Sequence, residues 1–209
     1  QESRRQWMRE GQPADFGMLE REASETPPFS SFIDPDAPEF EMPGDLPGRI
    51  RDYCARTKQP VPKGRGEVMR CIYESLALKY RLTLELLERL TGRSFARIHM
   101  IGGGVRDKLL CRMTACACGL PVFAGPAEAA AIGNAAVQFI ALGRFGSLAE
   151  ARKAIRRSVE PTVYLPKETA AWQEAFRRYQ KLLSMQKKTR TGETSRGTTG
   201  ERTAKQTGE

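Results

Sequence analysis

The segment Ile98-His99-Met100-Ile101-Gly102-Gly103-Gly104 decides the fold of this chain. It is a short apolar run that ends in three consecutive glycines, and a helical pattern follows from Val105 to Cys118. A second apolar run, Pro121 to Ala124, and another helical pattern complete the unit. A strand, a glycine turn and a helix bring backbone N–H groups close to a phosphate or nucleotide in α/β proteins. We therefore predict an α/β fold with a candidate site at the turn.

The glycine run by itself leaves two interpretations open. Glycine allows backbone angles and a close ligand approach that a Cβ would block, but glycines also commonly end strands. The run is not a P-loop, because no Gly-Lys-Ser/Thr sequence follows it. It is not a dinucleotide fingerprint either, because Asp107 stands where the third glycine would be needed.

The carboxylates nearest this unit are Asp107 and Glu128, and either could act as a general base or a metal ligand. A structural role is the stronger interpretation, since each begins a helix, where the helix dipole favours negative charge. His99 lies inside an apolar strand, and we expect a buried core imidazole. With one histidine in that position, no catalytic Ser/His/Asp or Cys/His set can be assembled. We assign no catalytic and no metal-ligating residue.

Composition limits the class of protein. The length of 209 residues suits one domain with a tail, and 40% hydrophobic residues are enough for a core. No apolar run is long enough to span a membrane, and no signal peptide is recognisable, so we expect a cytoplasmic protein without a membrane partner.

The net charge of +9 raises nucleic-acid binding as a hypothesis. Because the basic residues are interleaved with Glu or lie near the end of the chain, a solvated surface is the better interpretation.

The five cysteines form no CxxC pair, and one histidine is too few for a Cys/His zinc site. We expect the cysteines to be buried and to pack as small hydrophobic residues, as thiols in a reducing compartment do. Cys54 and Cys71 could meet as a disulfide, and the sequence leaves that open.

The strongest helical periodicity runs from Val68 to Leu87 and ends at Gly92, which predicts a long helix devoted to core burial. Residues 26–47 are rich in proline and aromatic side chains, and we expect this segment to pack onto the domain. Residues 127–142 form a small-residue helix that can pack closely, and residues 147–157 and 168–183 look like surface helices. We place the domain at residues 1–185 and a disordered basic tail at residues 186–209.

The run from Ile98 to Leu110, followed by Thr114 to Ala135, resembles the C-terminal domain of the FGGY carbohydrate kinases. The resemblance extends from Gln1 to about Pro166, and the segments Phe29–Phe40 and Gln59–Pro62 narrow it to one sugar kinase of that family. It implies a ribonuclease-H-like (actin-like ATPase) C-terminal domain, here incomplete and helix-rich. It further implies ATP-dependent phosphorylation of L-rhamnulose with Mg²⁺, and a missing N-terminal domain that carries most of the sugar site and the catalytic Asp.

The resemblance also implies the site residues. Gly103 matches the family's nucleotide-contacting glycine, Gly102 and Gly104 shape the same turn, and Gln1 matches a glutamine that contacts ATP. Asp107 replaces an Asn that the family often has, so its charge either weakens nucleotide binding or only caps the helix.

These residues are only part of a kinase site, so we expect the chain alone to be inactive. Three alternatives stay open: another FGGY kinase acting on a ketose or deoxy-sugar, a non-catalytic nucleotide-binding module, and a basic nucleic-acid-binding protein. The last would show salt-sensitive binding to duplex DNA or RNA.

Overall fold

The glycine turn begins where one strand of a small mixed sheet ends. A computed structural model describes residues 1–197, and the side chains of residues 1–186. The elements are α1 (Glu2–Arg9), α2 (Phe16–Glu25), α3 (Leu46–Arg56), α4 (Arg65–Thr91), β1 (Ile98–Met100), α5 (Lys108–Cys118), β2 (Val122–Ala124), α6 (Ala129–Ala141), α7 (Leu148–Ser158), β3 (Thr162–Tyr164) and α8 (Thr169–Gly197). Short 3₁₀ turns occupy Pro38–Phe40 and Gly103–Arg106.

The sheet has the order β1-β2-β3. β1 and β2 are parallel, with Ile98 opposite Val122, and β2 and β3 are antiparallel, with Phe123 opposite Val163. The predicted α/β class is confirmed. The helix α5 connects the two parallel strands, β1 and β2. The strand β3 was not anticipated, because three residues beside Pro161 are too few to show an alternating pattern.

Only one face of the sheet is covered by a described helix. Val122 and Ala124 are buried against Cys111 and Ala115 of α5. On the other face His99 is exposed, and its ring stacks on Phe123 with 5.4 Å between centroids. The expectations that β1 is buried on both faces and that His99 is a core imidazole are therefore wrong. The physical reason is that no described helix packs over the face of the sheet that carries His99.

The long helix α4 is a core helix over its first half only. Val68, Ala77 and Leu78 are completely buried, whereas Leu87 is 45% exposed and Leu90 is 73% exposed. The prediction of core burial along the whole helix is wrong for its C-terminal half. The apolar periodicity continues there, but no described element packs over it.

The proline-rich segment is packed onto the domain, as predicted. Phe32 and Ile33 are buried, and the N–H of Ile33 donates to Ser75 Oγ at 2.9 Å. The N–H of Phe29 donates to Glu74 Oε2 at 2.8 Å. Because prolines prevent a regular element here, side chains of α4 supply the acceptors that a strand neighbour would otherwise provide.

The last helix is a core element and not the surface helix we expected. Trp172, Phe176 and Tyr179 of α8 are buried, and the Trp172 ring meets Phe29 edge-on at 4.9 Å. α8 also continues to Gly197 instead of ending near residue 183. The predicted disordered tail therefore begins inside this helix, and residues 198–209 lie outside the described part.

The small-residue helix α6 is poorly covered. It lies against α7, and of its described side chains only Ala136 is buried, while Val137 is 59% exposed. Close packing on both sides does not occur within the described residues. No described helix is both long and apolar enough to cross a membrane.

The five cysteines are free thiols, and four of them are buried, as predicted. Burial raises the pKa of Cys111 to about 11 and that of Cys118 to about 12. Cys54 and Cys71 do not form the disulfide that the sequence left open.

Candidate nucleotide site at the glycine turn

The first glycine of the turn is required by backbone geometry. Gly102 has a φ of 81°, in the left-handed region that favours glycine. Its N–H donates to the carbonyl of Pro126 at 3.1 Å, and its own carbonyl accepts from the N–H of Val105 at 3.2 Å. The first bond ties the end of β1 to the loop that follows β2, and the second closes the turn itself.

The second and third glycines are not required by the protein's own packing. Gly103 and Gly104 are exposed, and neither has a left-handed φ. A Cβ added at either position would meet no atom within 4 Å. Their N–H groups begin a 3₁₀ turn, so they have no acceptor inside it. The turn therefore presents bare backbone to open space, which is what close approach of a ligand needs.

Two carboxylates occupy the start of α5, directly after the turn. Asp107 Oδ1 accepts from the N–H of Leu110 at 2.9 Å, and Glu20 Oε1 on α2 accepts from the N–H of Leu109 at 2.9 Å. The capping role predicted for Asp107 is confirmed. Because the N–H groups of Leu109 and Leu110 are already bonded to negative groups, the start of α5 is unfavourable for a phosphate. Burial, and then the neighbouring Asp107, raise the pKa of Tyr73.

An ion pair bridges the turn to the start of α6. Arg106 Nη2 lies 2.6 Å from Glu128 Oε1, and both side chains are 71% exposed. Glu128 stands at the position before α6, but its side chain makes no capping bond. Its described role is the ion pair with Arg106. No group of three or more His, Cys, Asp or Glu side chains among the described residues is arranged to hold a metal ion.

Gln1 stands on a different element, at the start of α1. It is exposed at the start of α1, where its carbonyl accepts from the N–H of Arg5 at 3.0 Å. α1 packs against α3. The structure thus brings together Gly102, Gly103, Gly104 and Asp107 around one turn, whereas Gln1 belongs to a separate element.

Sequence reasoning missed Glu20 and Arg106. Glu20 is 89 residues from the N–H group that it caps, so no local pattern points to it. Arg106 follows the glycines directly and could have been noticed as a cation beside the turn, but its partner Glu128 is 22 residues away.

Comparison with known proteins places these features in a family. The sequence model described as the FGGY family of carbohydrate kinases, C-terminal domain, matches residues 1–142. The rhamnulokinase of Bacteroides thetaiotaomicron is 47% identical over 155 residues, which are 74% of this chain and 32% of that protein. The rhamnulokinase of Bacillus subtilis is 38% identical over 153 residues, again 32% of its length.

Solved structures show the same fold. The xylulose kinase of Rhodospirillum rubrum matches 81% of this chain and 33% of its own, with a TM-score of 0.56 and 19% identity. The Plasmodium falciparum glycerol kinase with ADP matches 86% of this chain and 35% of its own, with a TM-score of 0.61 and 11% identity.

The chain spans about a third of the length of the curated relatives that it matches. The family match nevertheless covers both the N-terminal helices and the glycine turn with its two flanking strands. From this match and the shared fold, the chain belongs to the FGGY family of carbohydrate kinases.

Proposed function

We propose that this chain is the nucleotide-binding part of a rhamnulokinase, which transfers a phosphoryl group from ATP to L-rhamnulose and yields L-rhamnulose 1-phosphate. One observation carries the proposal: the backbone at Gly103 and Gly104 faces open space, although nothing in the protein requires glycine there. It lies in a region that is 47% identical to a rhamnulokinase.

In this proposal the nucleotide contacts the backbone of the turn itself. Gly103 makes the contact, Gly102 and Gly104 shape the turn, and Asp107 borders it. The phosphates lie away from α5, because Asp107 and Glu20 place negative charge at its start and already accept from the N–H groups of Leu110 and Leu109. Gln1 is a second proposed contact. Holding ATP in place is a large part of the task, since phosphoryl transfer depends mainly on positioning and charge stabilisation.

Mg²⁺ enters the proposal as the companion of ATP, where it would neutralise phosphate charge. We assign it no ligand on this chain, because the described residues contain no suitable cluster. The sugar and the group that takes its proton belong to the N-terminal domain of the kinase, which is the partner proposed here. The chain alone should therefore bind nucleotide without turning it over.

The test compares two glycines that lie in different parts of the fold but have equally open surroundings. Gly103 and Gly133 both have open space at Cβ and no left-handed φ. We expect Gly103→Val to weaken ATP binding by about tenfold or more, corresponding to about 1.4 kcal/mol, while Gly133→Val binds like the unmodified chain. Isothermal titration measures the affinity, and thermal unfolding checks the fold. Equal affinities for the two variants would contradict the proposal.

Turnover is a separate measurement. The purified 209-residue chain is incubated with ATP and L-rhamnulose, and ADP release is followed by a coupled assay. We expect no sugar-dependent ADP release. Sugar-dependent release would show that the chain contains its own proton acceptor, and would overturn the division of work between the two domains.

A further inference from the structure

An arginine at the end of the glycine turn pairs with the loop that follows β2. Arg106 is the last residue of the 3₁₀ turn Gly103–Arg106. Its Nη2 atom lies 2.6 Å from Oε1 of Glu128, which stands between β2 and α6. Because β1 and β2 are parallel, the loops that follow them leave the same edge of the sheet. The ion pair therefore joins two loops at one edge.

This edge is where α/β proteins bind their ligands. In open α/β sheets, ligands lie outside the carboxyl ends of the parallel strands. The exposed backbone of Gly103 and Gly104 lies at this edge, and a Cβ there would meet no atom within 4 Å. Arg106 stands two positions after Gly104 in the same turn. A phosphate group that approaches the glycine backbone from the side of Glu128 would meet this guanidinium.

The charges around the turn favour Arg106 as the partner of a phosphate. At the start of α5, Asp107 and Glu20 place two carboxylates that repel a phosphate. The segment Gly102–Asp107 contains one basic residue, Arg106. Lys108 is also exposed, but it is the first residue of α5, at the end that the two carboxylates cap. Positive charge away from α5 therefore comes from Arg106.

The ion pair leaves the guanidinium available to a ligand. Both side chains are 71% exposed, and an exposed ion pair of this kind is weak. One N–H group of Arg106 donates to Glu128, and its other N–H groups have no partner among the described residues. A guanidinium has five N–H donors in a planar fork, which suits two oxygen atoms of one phosphate. Arg106 can thus receive a phosphate without a rearrangement of the fold.

We propose that Arg106 binds a phosphate group of the nucleotide, and that Glu128 opposes this binding. The carboxylate of Glu128 orients the guanidinium, but its negative charge repels the phosphate. The chain would therefore distinguish a nucleotide from an uncharged nucleoside through Arg106, whereas Gly103 contacts the ligand through its backbone. This inference rests on the proposed nucleotide-binding function and adds to it the side chain that recognises phosphate.

Two substitutions of basic residues test the phosphate contact. ATP and adenosine are titrated separately into the 209-residue chain and its variants by isothermal titration calorimetry. Arg106→Gln should weaken ATP binding by about fivefold or more and leave adenosine binding unchanged, because adenosine has no phosphate. Lys108→Gln is the matched control, since it removes the same charge two residues further on. It should weaken ATP binding by less than about twofold, because an exposed charge without a direct contact is screened.

Two substitutions of acidic residues test the opposing charge. Glu128→Gln keeps an oxygen that can accept from Arg106 but removes the negative charge, so ATP should bind about twofold to fivefold more tightly. Glu174→Gln is the matched control, since Glu174 pairs with Arg177 on α8 at 2.6 Å and is 62% exposed. It should leave ATP binding unchanged. Thermal unfolding checks that every variant is folded.

Three results would overturn the inference: equal losses of ATP affinity in Arg106→Gln and Lys108→Gln, equal losses for ATP and adenosine in Arg106→Gln, or weaker ATP binding by Glu128→Gln. Gly103→Val separates the inference from the proposed function. If Gly103→Val weakens ATP binding and Arg106→Gln does not, this inference fails and the proposed function stands. Failure of the unmodified chain to bind ATP would overturn both.

Discussion

The carboxylate of Glu20 on α2 accepts a hydrogen bond from the N–H of Leu109 at the start of α5, with 2.9 Å between Oε1 and N. Leu109 is buried. Asp107 accepts from the next N–H, that of Leu110. The start of the helix that follows the glycine turn is thus capped by one local carboxylate and by one distant carboxylate on α2.

Replacing Glu20 tests the distant cap. Glu20→Ala leaves the N–H of Leu109 without its acceptor in a partly buried position. We expect a loss of about 1–2 kcal/mol in the free energy of unfolding, measured by urea denaturation. Glu25→Ala is the control on the same helix, since Glu25 is exposed at the end of α2. Similar stabilities for the two variants would contradict a capping role for Glu20.

Two substitutions of Asp107 separate its helix-capping bond from the effect of its negative charge. Asn caps helices about as well as Asp, so Asp107→Asn should keep the stability, whereas Asp107→Ala should lose about 1 kcal/mol. Removing the negative charge beside the turn should also strengthen ATP binding in Asp107→Asn. Thermal unfolding and ATP titration measure the two effects. Weaker ATP binding by Asp107→Asn would show that the carboxylate favours the nucleotide.

The buried carboxyl of Glu74 makes stability depend on pH. Its side chain is 1% exposed and lies 2.5 Å from Arg70 Nε. Burial raises the pKa of Glu74, and the bonds from Arg70 and Phe29 only partly oppose that rise. Above the ordinary value of 4.5, the folded chain keeps a proton that the unfolded chain has released. The free energy of unfolding should therefore fall as pH rises through this window.

Glu74→Gln should flatten that dependence, because the amide does not titrate. Urea denaturation from about pH 4 to about pH 7 measures the slope. Glu85→Gln is the control in the same helix, since Glu85 pairs with Arg81 at 3.2 Å but is 38% exposed. An unchanged slope in Glu74→Gln would assign the pH dependence to other groups.

Trp172 tests whether α8 belongs to the core. It is 4% exposed, and its ring lies 4.9 Å from that of Phe29. Trp172→Ala should lower the free energy of unfolding by about 3–5 kcal/mol. Leu165→Ala, at a residue that is 61% exposed, should change it by less than about 0.5 kcal/mol. A small effect of Trp172→Ala would mean that α8 is docked only loosely.

Much of the fold is predictable from local pattern. The helices α4 to α7 begin and end within a few residues of their predicted positions, because apolar periodicity, prolines and glycines mark them. The resemblance to FGGY kinases, which the family match confirms, came from runs of residues around the glycine turn. Burial was predicted less well, since periodicity shows which face of a helix is apolar but not what covers it.

By itself the sequence determined the family, the strand, glycine turn and helix order, and the cap at Asp107, because each is encoded within a few neighbouring residues. Only the tertiary structure decided that His99 is exposed, that α8 is buried and that Glu20 caps α5. These depend on contacts between distant segments. It also decided that Gly103 and Gly104 face open space, because free volume at a Cβ position is a property of everything packed around it.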